Sequence, residues 1–230
     1  MFLLIFFKNK VTMSPTILLI IALFSAVMHL KSVYLGPHQH VYFFKPLTTI
    51  CILLIALLNV TNTPDARFYK LMILAGLFFS LWGDVFLMLP SNRFIHGLVS
   101  FLIAHMFYIT AFSSNITKFM SPLFIFPYIL FGIAIFKFLS PGLGKLKIPV
   151  IIYLIIILAM VVMATNRVVI LGDLSSILAF TGAFLFMISD TTLAINKFKV
   201  SFKSAEFIIL STYYIAQVLI ALSIAKIINV

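Results

Sequence analysis

Eight apolar runs, each about as long as a bilayer is thick, constrain this 230-residue chain more than any other feature. They lie roughly at 15–33, 42–60, 68–89, 94–113, 122–139, 148–165, 174–195 and 205–228. A helix crosses the hydrocarbon core with about 20 apolar residues. Only helices and closed barrels satisfy their own backbone polar groups in lipid, and runs this long without alternation predict helices. Polar or Pro/Gly-bearing stretches at 36–40, 61–65, 90–93, 140–144 and 197–204 separate them. The predicted fold class is all-α: a polytopic membrane protein of eight transmembrane helices, forming one transmembrane domain over 1–230.

Composition closes off the other classes. Hydrophobic residues make up 63% of the chain and charged residues 9%, and mean hydropathy is +1.24. A soluble domain runs near ~45–50% apolar and ~25% charged. A soluble enzyme, a nucleic-acid binder and a disordered chain are excluded. The net charge of +11 would suggest nucleic acid in a soluble protein. Here the basic residues mostly fall in short loops beside anionic headgroups and need no nucleic-acid partner. The single cysteine, Cys51, sits inside an apolar run as a small buried residue, which excludes a disulfide framework and a cysteine-based zinc site.

The opening ten residues are apolar before they are basic, the reverse of a signal peptide, and read as an uncleaved interfacial start to the first span. Eight spans place both termini on one side. That side carries Lys8, Lys10, Arg67, Lys70, Lys118, Arg167 and Lys226. The side of the first, third, fifth and seventh loops (the odd-loop side) carries Lys31, Arg93, Lys137, Lys145, Lys147, Lys197, Lys199 and Lys203. Seven against eight leaves orientation undecided by the positive-inside rule. An uncleaved start fits a bacterial inner membrane or an endomembrane, and the short loops and minimal tails favour the bacterial case.

Shifted by 106 positions, Gly76, Phe78, Asp84 and Leu87 match Gly182, Phe184, Asp190 and Leu193. The same shift pairs Phe101, Ile103, Tyr108 and Ile109 with Phe207, Ile209, Tyr214 and Ile215. This points to a parallel four-plus-four internal repeat with halves 1–113 and 114–230, related by an axis along the membrane normal. Asp84 and Asp190 would then sit at equal depth on opposite sides of that axis.

An ionisable residue inside a span costs roughly 2.5–3.5 kcal/mol on insertion scales and is a functional candidate by default. Of the five acids, Asp65 and Asp173 fall in loops and Glu206 at a helix start, where all three read as solvated. Asp84 and Asp190 each lie roughly 8 Å inside the odd-loop end of a span, at about 1.5 Å per residue. Lys45 enters the second span from the same side. His105 and Tyr108 share a face of the fourth span, and Tyr213 and Gln217 a face of the eighth. Together these groups predict one cavity that opens to the odd-loop side. Structural alternatives stand beside this reading: Lys45 snorkelling to the interface, the tyrosines packing as aromatics, His105 and Gln217 bonding between helices. His38-x-His40 lies in a loop, and beyond the terminal turns, where His96 sits, the spans hold only His29 and His105, too few for a catalytic zinc site. No metal is expected. No nucleophile elbow, phosphate loop or dinucleotide loop is present.

The chain resembles the YhhN-like lysoplasmalogenase family of eight-span membrane proteins. The resemblance is carried by Lys45-Pro46, by Gly76-Leu77 through Ser80 with Gly83-Asp84, and by Gly97 with His105-x-x-Tyr108. It continues through Phe186-x-x-Ser189-Asp190-x-x-Leu193-Ala194 with Asn196, and Tyr213 or Tyr214 with Gln217. These segments span 45 to 217. The first and fifth spans carry nothing diagnostic.

The resemblance implies hydrolysis of the vinyl-ether bond of lysoplasmalogens to a fatty aldehyde and a glycerophospho-ethanolamine or -choline. It implies Asp84 and Asp190 as the catalytic pair, with Lys45, Ser80, His105, Tyr108, Ser189, Asn196, Tyr213, Tyr214 and Gln217 lining the site. Vinyl-ether hydrolysis protonates the distal alkene carbon and passes through an oxocarbenium ion. Two carboxyls serve such a cation in glycosidases, one as acid and one as base or stabiliser. The reaction calls for no cofactor. The expected partners are the lysophospholipid substrate and membrane lipids. A proton-coupled carrier using the same aspartates is the alternative, although few Gly or Pro residues interrupt the polar spans. A lipid-binding or scaffold protein is a third, and it would tolerate loss of both aspartates.

Overall fold

The computed structural model describes residues 14–89 and 93–224. Lys8, Lys10 and Lys226, the rest of the opening segment, the middle of the third loop and the end of the predicted eighth span lie outside that set.

Eight helices long and apolar enough to cross a membrane follow one another, with no strand among the described residues. They are α1 (Pro15–Leu35), α2 (Val41–Leu58), α3 (Pro64–Met88), α4 (Phe94–Ser113), α5 (Phe126–Leu139), α6 (Lys147–Leu171), α7 (Leu174–Phe198) and α8 (Ala205–Leu222). The chain is an integral, multi-pass membrane protein. Local chemistry sets several of the ends. Ser14 and Thr63 cap α1 and α3 just ahead of Pro15 and Pro64 at the first helical positions. Asp173 caps α7 by accepting from the Ser176 backbone N–H at 2.8 Å. Gly172, with φ of 65°, ends α6 in the left-handed conformation that an L side chain resists.

Several observed ends differ from those predicted, α5 starting at Phe126 rather than 122 and α7 ending at Phe198 rather than 195. α3 starts at Pro64 rather than 68, because the Thr63 cap precedes the apolar run. α6 runs on to Leu171 rather than stopping at 165. Its extra turn carries Asn166 and Arg167, both buried. Asn166 Oδ1 accepts from the Met120 backbone N–H at 2.7 Å, and Arg167 Nη1 donates to the Ser114 carbonyl at 2.9 Å. Arg167, predicted to be a loop cation, therefore holds the α4–α5 connection in place.

The most extensive pairings are α3 along α4 and α7 along α8. Small residues allow them to close. A Cβ on Gly76 would lie 2.2 Å from the Tyr108 ring, and one on Gly182 would lie 2.9 Å from the Ala216 carbonyl oxygen. α4 also packs on α6, and α2 on α8. α5 is peripheral, with 11% of its span buried against 50% for α8. The core runs through every helix but α5, and the cavity described next opens among the odd-loop ends of α2, α3, α4, α7 and α8.

Candidate functional site

Asp84 sits on α3 one turn short of its end, 1% exposed. A buried carboxylate needs a countercharge and hydrogen bonds, and both come from α2 and α8. Its Oδ1 faces Lys45 Nζ at 3.4 Å. Its Oδ2 accepts from Thr49 Oγ1 and from Tyr213 OH, each at 2.7 Å. Lys45 and Thr49 are four residues apart on α2, so one helical face delivers both. Sequence reasoning missed Thr49. The i,i+4 relation to Lys45 was the available signal.

Asp190 sits on α7 about two turns short of its end, one turn further in than Asp84 on α3 and not at the equal place the repeat predicts, and its neighbours are of another kind. Tyr153 of α6 donates its phenol to Asp190 Oδ2. His105 Nε2 lies 3.8 Å from the same oxygen, beyond hydrogen-bond length. The His105 ring is fully buried, edge-on to Phe186 at 4.7 Å and to Tyr153 at 5.3 Å. Neither of its nitrogens has a hydrogen-bond partner. Tyr153 was also missed, and its one signal was a polar-tipped residue in the Ile-rich opening of α6.

Both carboxyls border one cavity of about 480 Å³, within the range of small-molecule sites. Lys45, Ser189, Asn196 and Tyr213 line it with them. Leu87, Phe94, Phe101 and Leu193 form an apolar wall. That wall and Asp190 also border a small apolar annex of about 40 Å³ that reaches Val150 and Phe198. Every lining segment belongs to the odd-loop end of its helix. Ser189 Oγ donates to the Ile209 carbonyl at 3.0 Å, and Asn196 Oδ1 accepts from the Phe202 N–H at 3.3 Å. Lys197, Glu206, Ile209 and Leu210 complete the lining. Glu206, predicted to be solvated, is half-buried and faces the cavity.

The remaining expected residues stand elsewhere. Ser80, Tyr108 and Gln217 form a buried polar layer: Tyr108 OH donates to Gln217 Oε1 at 2.9 Å and lies 3.4 Å from Ser80 Oγ. None of the three is among the cavity's lining residues, and neither is His105. Tyr214 turns toward α1, where its hydroxyl meets His29 Nδ1 at 2.7 Å. It borders an apolar groove among α1, α2 and α8 rather than the aspartate cavity. Adjacent helix positions are about 100° apart, so Tyr213 and Tyr214 cannot share one target. Among the described residues, no group of three or more His, Cys, Asp or Glu side chains could hold a metal ion.

The arrangement holds one carboxylate beside a fixed cation and a second carboxyl beside a phenol. They share a cavity with Lys45, Asn196, Lys197 and Glu206 among its polar lining and Leu87, Phe94, Phe101 and Leu193 as its apolar wall. Such a site suits proton transfer to an amphipathic molecule.

Residues 40–224 match the YhhN family. Lysoplasmalogenase TMEM86A of Bos taurus is 37% identical over 156 residues, covering 66% of this chain and 64% of that protein. The Homo sapiens TMEM86A is 36% identical over the same shares. The chain thus spans slightly less than two thirds of the length of these relatives. The uncharacterized membrane protein YhhN of Escherichia coli O157:H7 is 27% identical over 201 residues, 87% of this chain and 94% of that protein. No solved structure matches.

Proposed function

The chain belongs to the YhhN family, and from that premise we propose that it is a lysoplasmalogenase of the bacterial inner membrane. On this reading it hydrolyses the vinyl-ether bond of lysoplasmenyl-ethanolamine or -choline to a fatty aldehyde and the glycerophospho-alcohol. One observation carries the reading: two carboxyls with unlike neighbours border a single cavity that has both polar and apolar lining and an apolar annex. The relatives named as lysoplasmalogenases support the same reaction.

The unlike neighbours divide the labour. Asp84, held by Lys45, Thr49 and Tyr213, is the fixed carboxylate whose negative charge stabilises a nearby cation. Asp190, with a phenol on one oxygen and a side chain 12% exposed to the cavity, is the proton donor. It transfers its proton to the distal carbon of the alkene, and the two π electrons become the new C–H bond. The carbon attached to the ether oxygen becomes an oxocarbenium centre. Water adds to that carbon and gives one proton back to Asp190. The resulting hemiacetal loses its glycerol oxygen, which takes up the hydroxyl proton, and the aldehyde remains. The balance is one vinyl ether and one water consumed, one aldehyde and one alcohol formed. Leu87, Phe101, Leu193 and the annex receive the start of the hydrocarbon chain. Lys197 and Asn196 stand at the headgroup end.

The test is aldehyde release by the purified protein in detergent, from lysoplasmenyl-ethanolamine and from its saturated alkyl-ether analogue. The proposal expects release from the first only. Release from neither, with solute movement in sealed vesicles, would establish the carrier instead.

A further inference from the structure

A second polar cavity, of about 470 Å³, lies on the membrane face opposite the aspartates. The N-terminal ends of α3 and α7 meet the C-terminal ends of α4, α6 and α8 there. The proposed hydrolysis has no use for it, and its volume falls in the range of small-ligand sites.

Its charges are arranged unusually. Arg167 lines it with only 8% of its surface exposed. The guanidinium carbon sits 4.6 Å from the centre of the Tyr69 ring, and Nη1 donates to the Ser114 carbonyl. Nε is buried and has no hydrogen-bond partner. A guanidinium offers five N–H donors, and a buried unmet donor is costly. Asp65 and Asp173 line the same cavity and are exposed. Among the described residues no ion pair joins Arg167 to either of them. The hydroxyl pair of Tyr69 and Ser223, 2.8 Å apart, forms part of the wall.

Opposite charges that face one space without touching define the complement of a ligand carrying both signs. A simple anion would meet two aspartates, and a simple cation would meet a buried arginine. The N-termini of α3 and α7 bring partial positive charge and the C-terminal ends of α4, α6 and α8 partial negative charge, so the helix ends, like the side chains, present both signs to the cavity. We propose that this cavity binds a phospho-ammonium zwitterion, with the phosphate against Arg167 and the ammonium between Asp65 and Asp173. That is the chemistry of an ethanolamine lipid headgroup and of free glycerophosphoethanolamine.

The experiment titrates the purified protein in detergent with glycerophosphoethanolamine and with glycerol 3-phosphate, following bound ligand by calorimetry. Saturable binding of the zwitterion is expected, with glycerol 3-phosphate weaker by on the order of tenfold. An Asp65→Asn/Asp173→Ser double variant keeps an oxygen at the α7 cap and changes only exposed residues. It should weaken zwitterion binding by at least about tenfold while releasing aldehyde like the wild type. Arg167→Gln should abolish binding of both ligands, and the double variant carries the test if Arg167→Gln does not fold. Repeating the titration in phosphatidylglycerol nanodiscs with and without phosphatidylethanolamine identifies the source. Displacement of the soluble zwitterion assigns the site to the lipid, and undiminished binding assigns it to the soluble molecule. No saturable binding of the zwitterion, or unchanged binding in the double variant, would overturn the proposal. Neither readout depends on hydrolysis at the aspartates.

Discussion

Asp84 and Asp190 occupy matching places in matching segments, Gly76 to Leu87 and Gly182 to Leu193. Both lie near the odd-loop end of a long helix and both face the same cavity. Their neighbours nevertheless differ in chemistry. Asp84 is met by an ammonium, a hydroxyl and a phenol. Asp190 is met by a phenol and a more distant imidazole. The 106-residue shift carries Lys45 onto Ile151 and Thr49 onto Ile155, so these two partners of Asp84 have no sequence counterpart for Asp190. Similar sequence positions carry unlike charge environments, and those environments give each carboxyl a separate task.

Neutralising each carboxyl in turn should expose the division. Asp190→Asn is expected to lower the aldehyde-release rate by on the order of 10²–10⁴-fold, the usual worth of a general acid, with little change in melting temperature. Equal rates in the two proteins would end the acid assignment. Asp84→Asn leaves Lys45 without its partner, so the loss should appear in stability as well, about 3–5 kcal/mol by denaturation in detergent. Adding Lys45→Met to Asp84→Asn should restore most of that stability without restoring turnover. A double variant no more stable than the single one would show that the pair is not what holds Asp84.

Smaller effects sharpen the picture. Tyr153→Phe removes the phenol from Asp190 and should reduce kcat roughly tenfold while costing about 1 kcal/mol of stability. Gly182→Ala should cost about 1–3 kcal/mol and leave the remaining folded enzyme active, because the added carbon meets the α8 backbone rather than the cavity. The smallest effect belongs to Tyr214→Phe. This tyrosine matches Tyr108 in sequence but bonds His29 away from the cavity. Its loss should cost about 1 kcal/mol and leave kcat within about twofold. A large fall in kcat there would return Tyr214 to the site.

The spans were legible because lipid admits so few solutions for a long apolar run. Their ends were less so. Arg167 reads as a loop residue on charge alone, yet the Ser114 carbonyl to which it donates lies 53 positions away in the chain. Asp84 and Asp190 stood out because a carboxyl inside an apolar run has no cheap explanation. Thr49 and Tyr153 did not stand out, since hydroxyl residues are ordinary in membrane helices and their value here depends on which helix faces them. Tyr214 shows the opposite case: the resemblance and its spacing to Gln217 put it with Tyr213, and the helix rotates it toward His29 instead. Glu206 was judged by its place at a helix start, and the crossing of α7 and α8 turns that start toward the cavity.

The most direct test of an unequal carboxyl pair is aldehyde release from lysoplasmenyl-ethanolamine by the wild type and by Asp190→Asn, in detergent, with melting curves recorded alongside. The account predicts release by the wild type and none above background from a variant that melts like it. Release by the variant at the wild-type rate, or a folded wild type that releases nothing, would contradict it.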